Sequence, residues 1–258
     1  MVSAQIFKWL SLGLASCLAG AINSIAGGGT LLSFPAALAV GLSPVVANAT
    51  NTVALVPGTL ASAFAYRQEL FADKRHFVPL LLPSLCGGLI GAYLLLAAPA
   101  RVFEAIVPWL VLGATLLILL KRPLLSRLGT KDSPSRSRIV AVGLGIFLMA
   151  VYGGYFGAGI GIIILATLSL LTPMDIHTMN ARKTVLASIV NGAAAGLFIA
   201  KGTANLPAAG VMAIGSIAGG YFGARLARRV PATVVSRAVV AIGLILAAIL
   251  FYRGVGIH

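Results

Sequence analysis

The chain has 258 residues, of which 59% are hydrophobic and only 9% charged, with a mean hydropathy of +1.03. Soluble domains carry about 25% charged residues, so this composition excludes an ordinary soluble domain and specifies an integral membrane protein. The net charge of +14 comes from 19 Lys and Arg against 5 Asp and Glu. Those basic residues sit between apolar runs, and none forms a basic face interleaved with aromatics, which excludes nucleic acid as a partner.

In chain order, Lys8 is followed by an uncharged run that lasts until Arg67. At about 1.5 Å per residue, a single helix over that run far exceeds a hydrocarbon core of roughly 30 Å, so the chain turns back on itself. A first helix is predicted from Gln5 to Ile25. Leu14-Ala15-Ser16-Cys17 mimics a lipoprotein cleavage box, but the chain stays apolar beyond it to Tyr66, so the helix is read as uncleaved. The breaks fall at Gly27-Gly28-Gly29 and at Gly41-Leu42-Ser43-Pro44, where glycine permits unusual backbone angles and proline opens a new helix. Between them lies a short segment over 30–40. A helix from Pro44 to Tyr66 follows, with Ser43 at its N-cap position.

Two more helices, Phe77–Ala97 and Val102–Leu120, complete the first half. Residues 121–138 hold six basic residues and one acid and read as a connector. The second half opens with another over-long uncharged run, Ile139 to Met174, broken at Gly153-Gly154-Tyr155-Phe156-Gly157-Ala158-Gly159-Ile160-Gly161. A short segment over 160–171 precedes a helix opened by Thr172-Pro173-Met174-Asp175. Helices over Leu206–Ala224 and Thr233–Tyr252 close the chain. Cys17 and Cys86 lie in apolar stretches and are expected to be free, buried and inert.

The halves read as copies. Gly27 and Gly29 correspond to Gly157 and Gly159, Thr52-Val53 to Thr184-Val185, and Pro79, Gly91, Tyr93 and Arg101 to Pro207, Gly219, Tyr221 and Arg229. The expected organisation is a first transmembrane repeat over 1–120, a basic linker over 121–138 and a second repeat over 139–258. The fold class is an all-α integral membrane protein made of two repeats of about five transmembrane helices. The odd number inverts one copy relative to the other and brings the glycine-broken helices together near the midplane. If every segment crosses, fifteen Lys and Arg fall on the linker's face and four on the other, which places the linker in the cytoplasm.

A helix that starts after unwound backbone offers free N–H groups and a positive dipole end, which suits an anion. The candidate substrate-binding residues are therefore Gly27, Gly28, Gly29, Gly157, Gly159 and Gly161. To these are added the polar group Asn48, Thr50, Asn51 and Thr52, with Asn23 one turn before the first break, and the second-half residues Arg182, Lys183 and Asn191. Interhelical hydrogen bonding is the competing reading for the amides, and close helix packing is the reading for Gly87, Gly88, Gly91, Gly219, Gly220 and Gly223. Cations as deep as Arg182 and Lys183 commonly mark a substrate or ion path. Asp175 and His177 are the candidates for proton coupling, with capping as the alternative. There are no paired carboxylates, no metal-ligand spacing and no nucleotide-binding loop, so no catalytic constellation, metal or cofactor is expected.

These motifs resemble the TauE/SafE family of sulfite exporters and related permeases. The first repeat's likeness rests on Gly27-Gly28-Gly29 with Pro35, Gly41-Leu42-Ser43-Pro44 and Ala49-Thr50-Asn51-Thr52. The second rests on the run from Tyr152 to Gly161, then Asn180, Lys183, Asn191 and Phe198 ahead of Gly202. The family carries a less charged residue where this chain has Arg182. The resemblance implies a multi-pass permease of the bacterial inner membrane for sulfur-containing anions such as sulfite, sulfoacetate or other organosulfonates. Its expected partners are that anion and the lipid bilayer, with homodimer formation left open. Three rivals stand beside this reading: a passive anion channel, a membrane-embedded enzyme using His177 and Asp175, and a non-transporting assembly subunit.

Overall fold

In the computed structural model, residues 2–25, 27–70, 77–120, 136–170, 176–227 and 232–255 are described. Helices α1 (Val2–Ile25), α2 (Thr30–Ala39), α3 (Pro44–Ala65), the single turn α4 (Arg67–Leu70), α5 (Leu81–Ala97) and α6 (Ala100–Leu119) make up the first half. The second half holds α7 (Arg136–Tyr155), α8 (Ile160–Leu168), α9 (Ile176–Ala200), α10 (Leu206–Leu226) and α11 (Ala232–Val255). A 3-10 turn, Val78–Leu80, leads into α5. No strand occurs among the described residues. Asp73, Asp132, most of the 121–138 connector and the Thr172-Pro173-Met174-Asp175 helix opening lie outside them.

Among the described residues, six helices are long and apolar enough to cross a membrane: Gln5–Ile25, Val78–Ala97, Ala100–Leu119, His177–Ala200, Leu206–Leu226 and Val234–Tyr252. α3 has 22 residues but is studded with buried Asn48, Thr50, Asn51, Thr52, Thr59 and Ser62, which keep it out of that set. Thr30–Ala39 and Ile139–Tyr155 are shorter apolar helices. The outer faces of α1, α6 and α11 expose Phe7, Leu10, Leu14, Trp109, Leu116, Ile245 and Ile249. Apolar exposure on that scale is what a lipid-facing surface requires.

The breaks come from glycine stereochemistry. Gly27 and Gly28 have φ of 79° and 93°, Gly157 and Gly159 of 75° and 73°, and Gly41 of 100°, a region that costs an L-residue about 1–2 kcal/mol. Ser43 stands at the N-cap of α3 in extended backbone, but its side chain makes no capping bond there. Both cysteines are free; contrary to the sequence expectation of two buried thiols, Cys17 is half-buried and Cys86 exposed, because α5 turns that face away from its neighbours.

Packing follows a regular exchange between halves. α1 lies against α10 as α7 lies against α5, α3 crosses α10 as α9 crosses α5, and α6 pairs with α11. α3 and α9 also touch each other, which places them at the centre. These crossings are close because glycines line them. A Cβ at Gly219 would collide with the Cys17 carbonyl, one at Gly58 would lie 2.5 Å from the Ser216 carbonyl, and one at Gly88 would lie 2.7 Å from the Val190 carbonyl. Without a hydrophobic force between helices in lipid, this backbone approach supplies the dispersion contact that holds the bundle together. Gly210, on the same helix as Gly219, has open space around it. Gly219→Leu is therefore expected to cost about 3 kcal/mol or more, or to prevent folding, whereas Gly210→Leu is near neutral; thermal unfolding of detergent-purified protein reads both.

Candidate functional site

The two glycine breaks meet. A Cβ built on Gly27 would lie 3.6 Å from the Gly161 backbone and 3.5 Å from the Ile162 side chain, so α1's end and α8's start are in van der Waals contact. Each break is closed in the same manner. The Gly27 N–H turns back to the Ile22 carbonyl (2.9 Å), and the Gly157 N–H to the Tyr152 carbonyl (3.2 Å). Each bond spans five residues rather than four and skips the intervening carbonyls. The Tyr152 hydroxyl reinforces the second break by donating to the Ala158 carbonyl (2.6 Å). Phe156 within it packs edge-on against Phe34 of α2, at 5.5 Å between ring centroids.

Between the breaks lies a polar cavity of about 30 Å³, space for roughly two waters. Its walls come from α1 (Gly20, Asn23, Ser24), the first break (Gly27, Gly28), the start of α2 (Thr30) and α3 (Leu55, Gly58, Thr59, Ser62). The second half adds Gly157, Ile160, Gly161, Lys183, Thr184, Ala187 and Asn191. Among the described residues of this lining, Lys183 is the one that is charged, and no acid is among them.

Lys183 is 2% exposed. Its ammonium donates to the carbonyls of Asn23 (3.0 Å) and Ser24 (3.4 Å) and to Asn180 Oδ1 (3.1 Å). The first two are carbonyls that the Gly27 turn leaves unused, at the negative end of α1's dipole. A buried cation is stable in such a place because charge-assisted bonds replace its hydration. Asn23 spends its Oδ1 on the Gly29 N–H (2.7 Å), which fixes the first break and leaves its amide donors at the cavity. The Ser24 hydroxyl is within bonding distance of Ser62 Oγ (2.9 Å) and the Gly220 carbonyl (2.9 Å), tying α1, α3 and α10 together beside the cavity.

Of the sequence-predicted residues, Gly27, Gly28, Gly157, Gly161, Lys183 and Asn191 line the cavity. Gly29 and Gly159 lie just outside it. Gly29 is needed because a Cβ there would strike the Ala19 carbonyl, and Gly159 is the N-cap of α8. Asn48, Thr50, Asn51 and Thr52 are buried but do not line it. The Asn48 amide donates to the Tyr155 carbonyl (3.0 Å), Thr50 Oγ1 accepts the Asn205 N–H (2.9 Å), and the Thr52 hydroxyl donates to the Asn48 carbonyl (2.9 Å). Arg182, also 2% exposed, points away from the cavity and stacks over the Phe77 ring at 5.7 Å. One helical step of about 100° separates it from Lys183, so only one of the two cations can face the cavity. His177 lies near the start of α9 and outside the lining, and Asp175 is outside the described residues.

The sequence reading missed Ser24, Thr30, Thr59 and Ser62. For Thr59 and Ser62 the signal was periodicity: Asn48, Asn51, Leu55, Thr59 and Ser62 run down one face of α3 at steps of three and four. The reading stopped at the dense cluster and did not follow the stripe to the cavity two turns further on.

A glycine-broken helical bundle enclosing a polar, singly positive cavity belongs to the class of multi-pass membrane transporters. The model of the sulfite exporter TauE/SafE family matches residues 12–250, and the chain belongs to that family. A probable membrane transporter protein of a Sinorhizobium species is 28% identical over 235 residues, covering 91% of this chain and 88% of the relative. Its counterpart in Haemophilus influenzae is 27% identical over 236 residues, with 91% of each chain covered. The probable membrane transporter protein YfcA of Escherichia coli K12 is 28% identical over 244 residues, covering 93% of this chain and 88% of that one. No solved structure matches the chain. The family and these relatives make the protein a membrane transporter and not an enzyme.

The first break isolates one clean test. A Cβ at Gly27 meets nothing closer than 3.5 Å, so Gly27→Ala probes backbone strain without a clash. It is expected to lower stability by about 1–2 kcal/mol, read as a depressed unfolding temperature in detergent.

Proposed function

We propose that the protein is a secondary permease that carries a small sulfur oxyanion, sulfite or an organosulfonate such as sulfoacetate, across the bacterial inner membrane. The observation that carries this reading is the charge balance of the cavity: among the described residues of its lining there is one buried ammonium, Lys183, and no carboxylate. Around that charge stand donors of the kind a sulfite or sulfonate uses. They are the Asn23 and Asn191 amides and the Thr30 and Ser62 hydroxyls. Such an anion offers acceptor oxygens only, so every one of these donors can be used.

Transport follows from the exchange-related packing. The two halves, 1–120 and 139–258, act as inverted repeats about the cavity, with the 121–138 linker in the cytoplasm. One rocks against the other to expose the anion to alternate sides. The cavity of about 30 Å³ is then the occluded stage, and it widens when the anion enters. Lys183 couples the two events. An anion competes with α1's carbonyls for its ammonium and so loosens the contact between α1 and α9.

The test is a thermal-shift series on purified protein with sulfite, sulfate, thiosulfate, sulfoacetate and taurine. Sulfite or an organosulfonate is expected to raise the unfolding temperature, since a ligand at about 100 times its Kd contributes about 2.7 kcal/mol. Lys183→Met is expected to abolish that rise. Arg182→Ala is expected to lower the baseline, because its guanidinium is buried against Phe77, while leaving the anion-induced rise in place. No response to any of the five anions in folded protein would overturn the substrate class.

A further inference from the structure

The two breaks free the same set of backbone oxygens but do not treat them alike. In the first half, the Gly27 N–H reaches past the Asn23 and Ser24 carbonyls to Ile22, and the Lys183 ammonium takes both of the carbonyls left over. In the second half, the Phe156 N–H makes the ordinary four-residue bond to the Tyr152 carbonyl (2.9 Å), and the Gly157 N–H turns back to the same carbonyl (3.2 Å), passing over those of Gly153 and Gly154. The residue of α3 that corresponds to Lys183 of α9 is Asn51. The local register confirms the match: the Thr52 hydroxyl donates to the Asn48 carbonyl just as the Thr184 hydroxyl donates to the Asn180 carbonyl (2.9 and 2.7 Å). Among the described residues, no cation bonds the side-chain oxygen of Asn51.

Two buried amide oxygens stand there without a donor. Asn48 is 0% exposed and Asn51 1% exposed, and neither Asn48 Oδ1 nor Asn51 Oδ1 has a hydrogen-bond partner. Asn48 is anchored at the end of α7, because its Nδ2 donates to the Tyr155 carbonyl at 3.0 Å. Asn51 lies one turn further along the same face of α3. An unsatisfied buried acceptor costs about 1–3 kcal/mol, so two on one helix face call for a partner.

The geometry points to a monovalent cation site at the end of α7, formed by Asn48 Oδ1, Asn51 Oδ1 and the passed-over carbonyls of Gly153 and Gly154. A free alkali cation there plays the part that the tethered Lys183 ammonium plays at the end of α1. All the ligands are neutral oxygens, and the negative end of a helix dipole adds only partial charge. This suits sodium and disfavours a divalent ion, which draws on carboxylates. The Asn51 side chain is shorter than that of lysine by two bonds, so it does not reach across as the Lys183 ammonium does. The cation site stands on its own geometry, while its role as the coupled ion rests on the carrier reading above. On that role, sodium at α7 and Lys183 at α1 together lock the two breaks, and sodium release accompanies opening of the second half.

The experiment compares thermal unfolding of the purified full chain in NaCl, LiCl, KCl and choline chloride at one ionic strength, with and without sulfite. Sodium is expected to raise the unfolding temperature by about 3 °C or more over choline in the absence of sulfite. Asn51→Leu is expected to weaken the apparent sodium affinity at least tenfold. Asn51→Lys, which supplies the cation covalently, is expected to remove the sodium response and raise the choline baseline. Sodium uptake into proteoliposomes driven by a sulfite gradient is expected in the wild type and absent in Asn51→Lys. Equal unfolding temperatures of the wild type in all four salts would overturn the site whether or not the variants fold. So would a sodium response unchanged in Asn51→Leu, and a potassium response equal to sodium's would overturn the assignment to sodium. A sulfite rise that persists in choline without any sodium effect would reject this site alone. A sodium effect without any sulfite rise would instead reject the anion reading and retain the cation site.

Discussion

A buried lysine holding the broken end of a helix is the contact on which this architecture turns. Hydrocarbon offers no hydrogen bonds, so every carbonyl released by a helix break must find a partner inside the protein. At the end of α1 that partner is Lys183, which reaches across from α9 to Asn23 and Ser24. The same bonds, with that to Asn180 Oδ1, replace hydration for an ammonium held on a side chain only 2% exposed. Each group makes the other tolerable, and together they fix α9 against α1 at the one place where the cavity opens.

Around that contact the bundle divides its polar and apolar work cleanly. Long apolar helices such as α5, α6 and α11 face lipid, while α3 and α9 carry the hydroxyls and amides inward. Glycines at the α1–α10, α3–α10 and α5–α7 crossings remove side chains where backbones touch. Close contact of that kind favours two discrete packings over a soft continuum, since interdigitated surfaces are bistable. A membrane transporter whose helices shift as units can draw on this property.

The asymmetry between the halves is as informative as their likeness. Both breaks use a five-residue closure at a glycine of positive φ, and both central helices carry a threonine bonded back to an asparagine carbonyl. Against that shared frame the exchange of Lys183 for Asn51 stands out. One copy keeps a covalently attached cation and faces the cavity with it, while the other keeps bare oxygens away from the cavity. Two copies of a motif can thus diverge in the charge they carry without disturbing the packing that relates them.

The membrane class, the places where helices must break and the family followed from the sequence because they depend on local or summed properties. Uncharged runs too long for one crossing, glycines at their middles and an ordered set of motifs require no knowledge of contacts. The packing role of Gly88 and Gly219 was legible for the same reason, since small residues in apolar helices have few other uses. Which cation faces the cavity was not legible: Arg182 and Lys183 are adjacent, and only the rotation of α9 against α1 and the Phe77 ring separates them. Nor did the cluster at 48–52 reveal that it lies beside the end of α7 while Thr59 and Ser62 of the same stripe reach the cavity. Helical periodicity sets which residues share a face, but the depth at which two helices cross is set by how their backbones pack, and that is a property of the whole bundle.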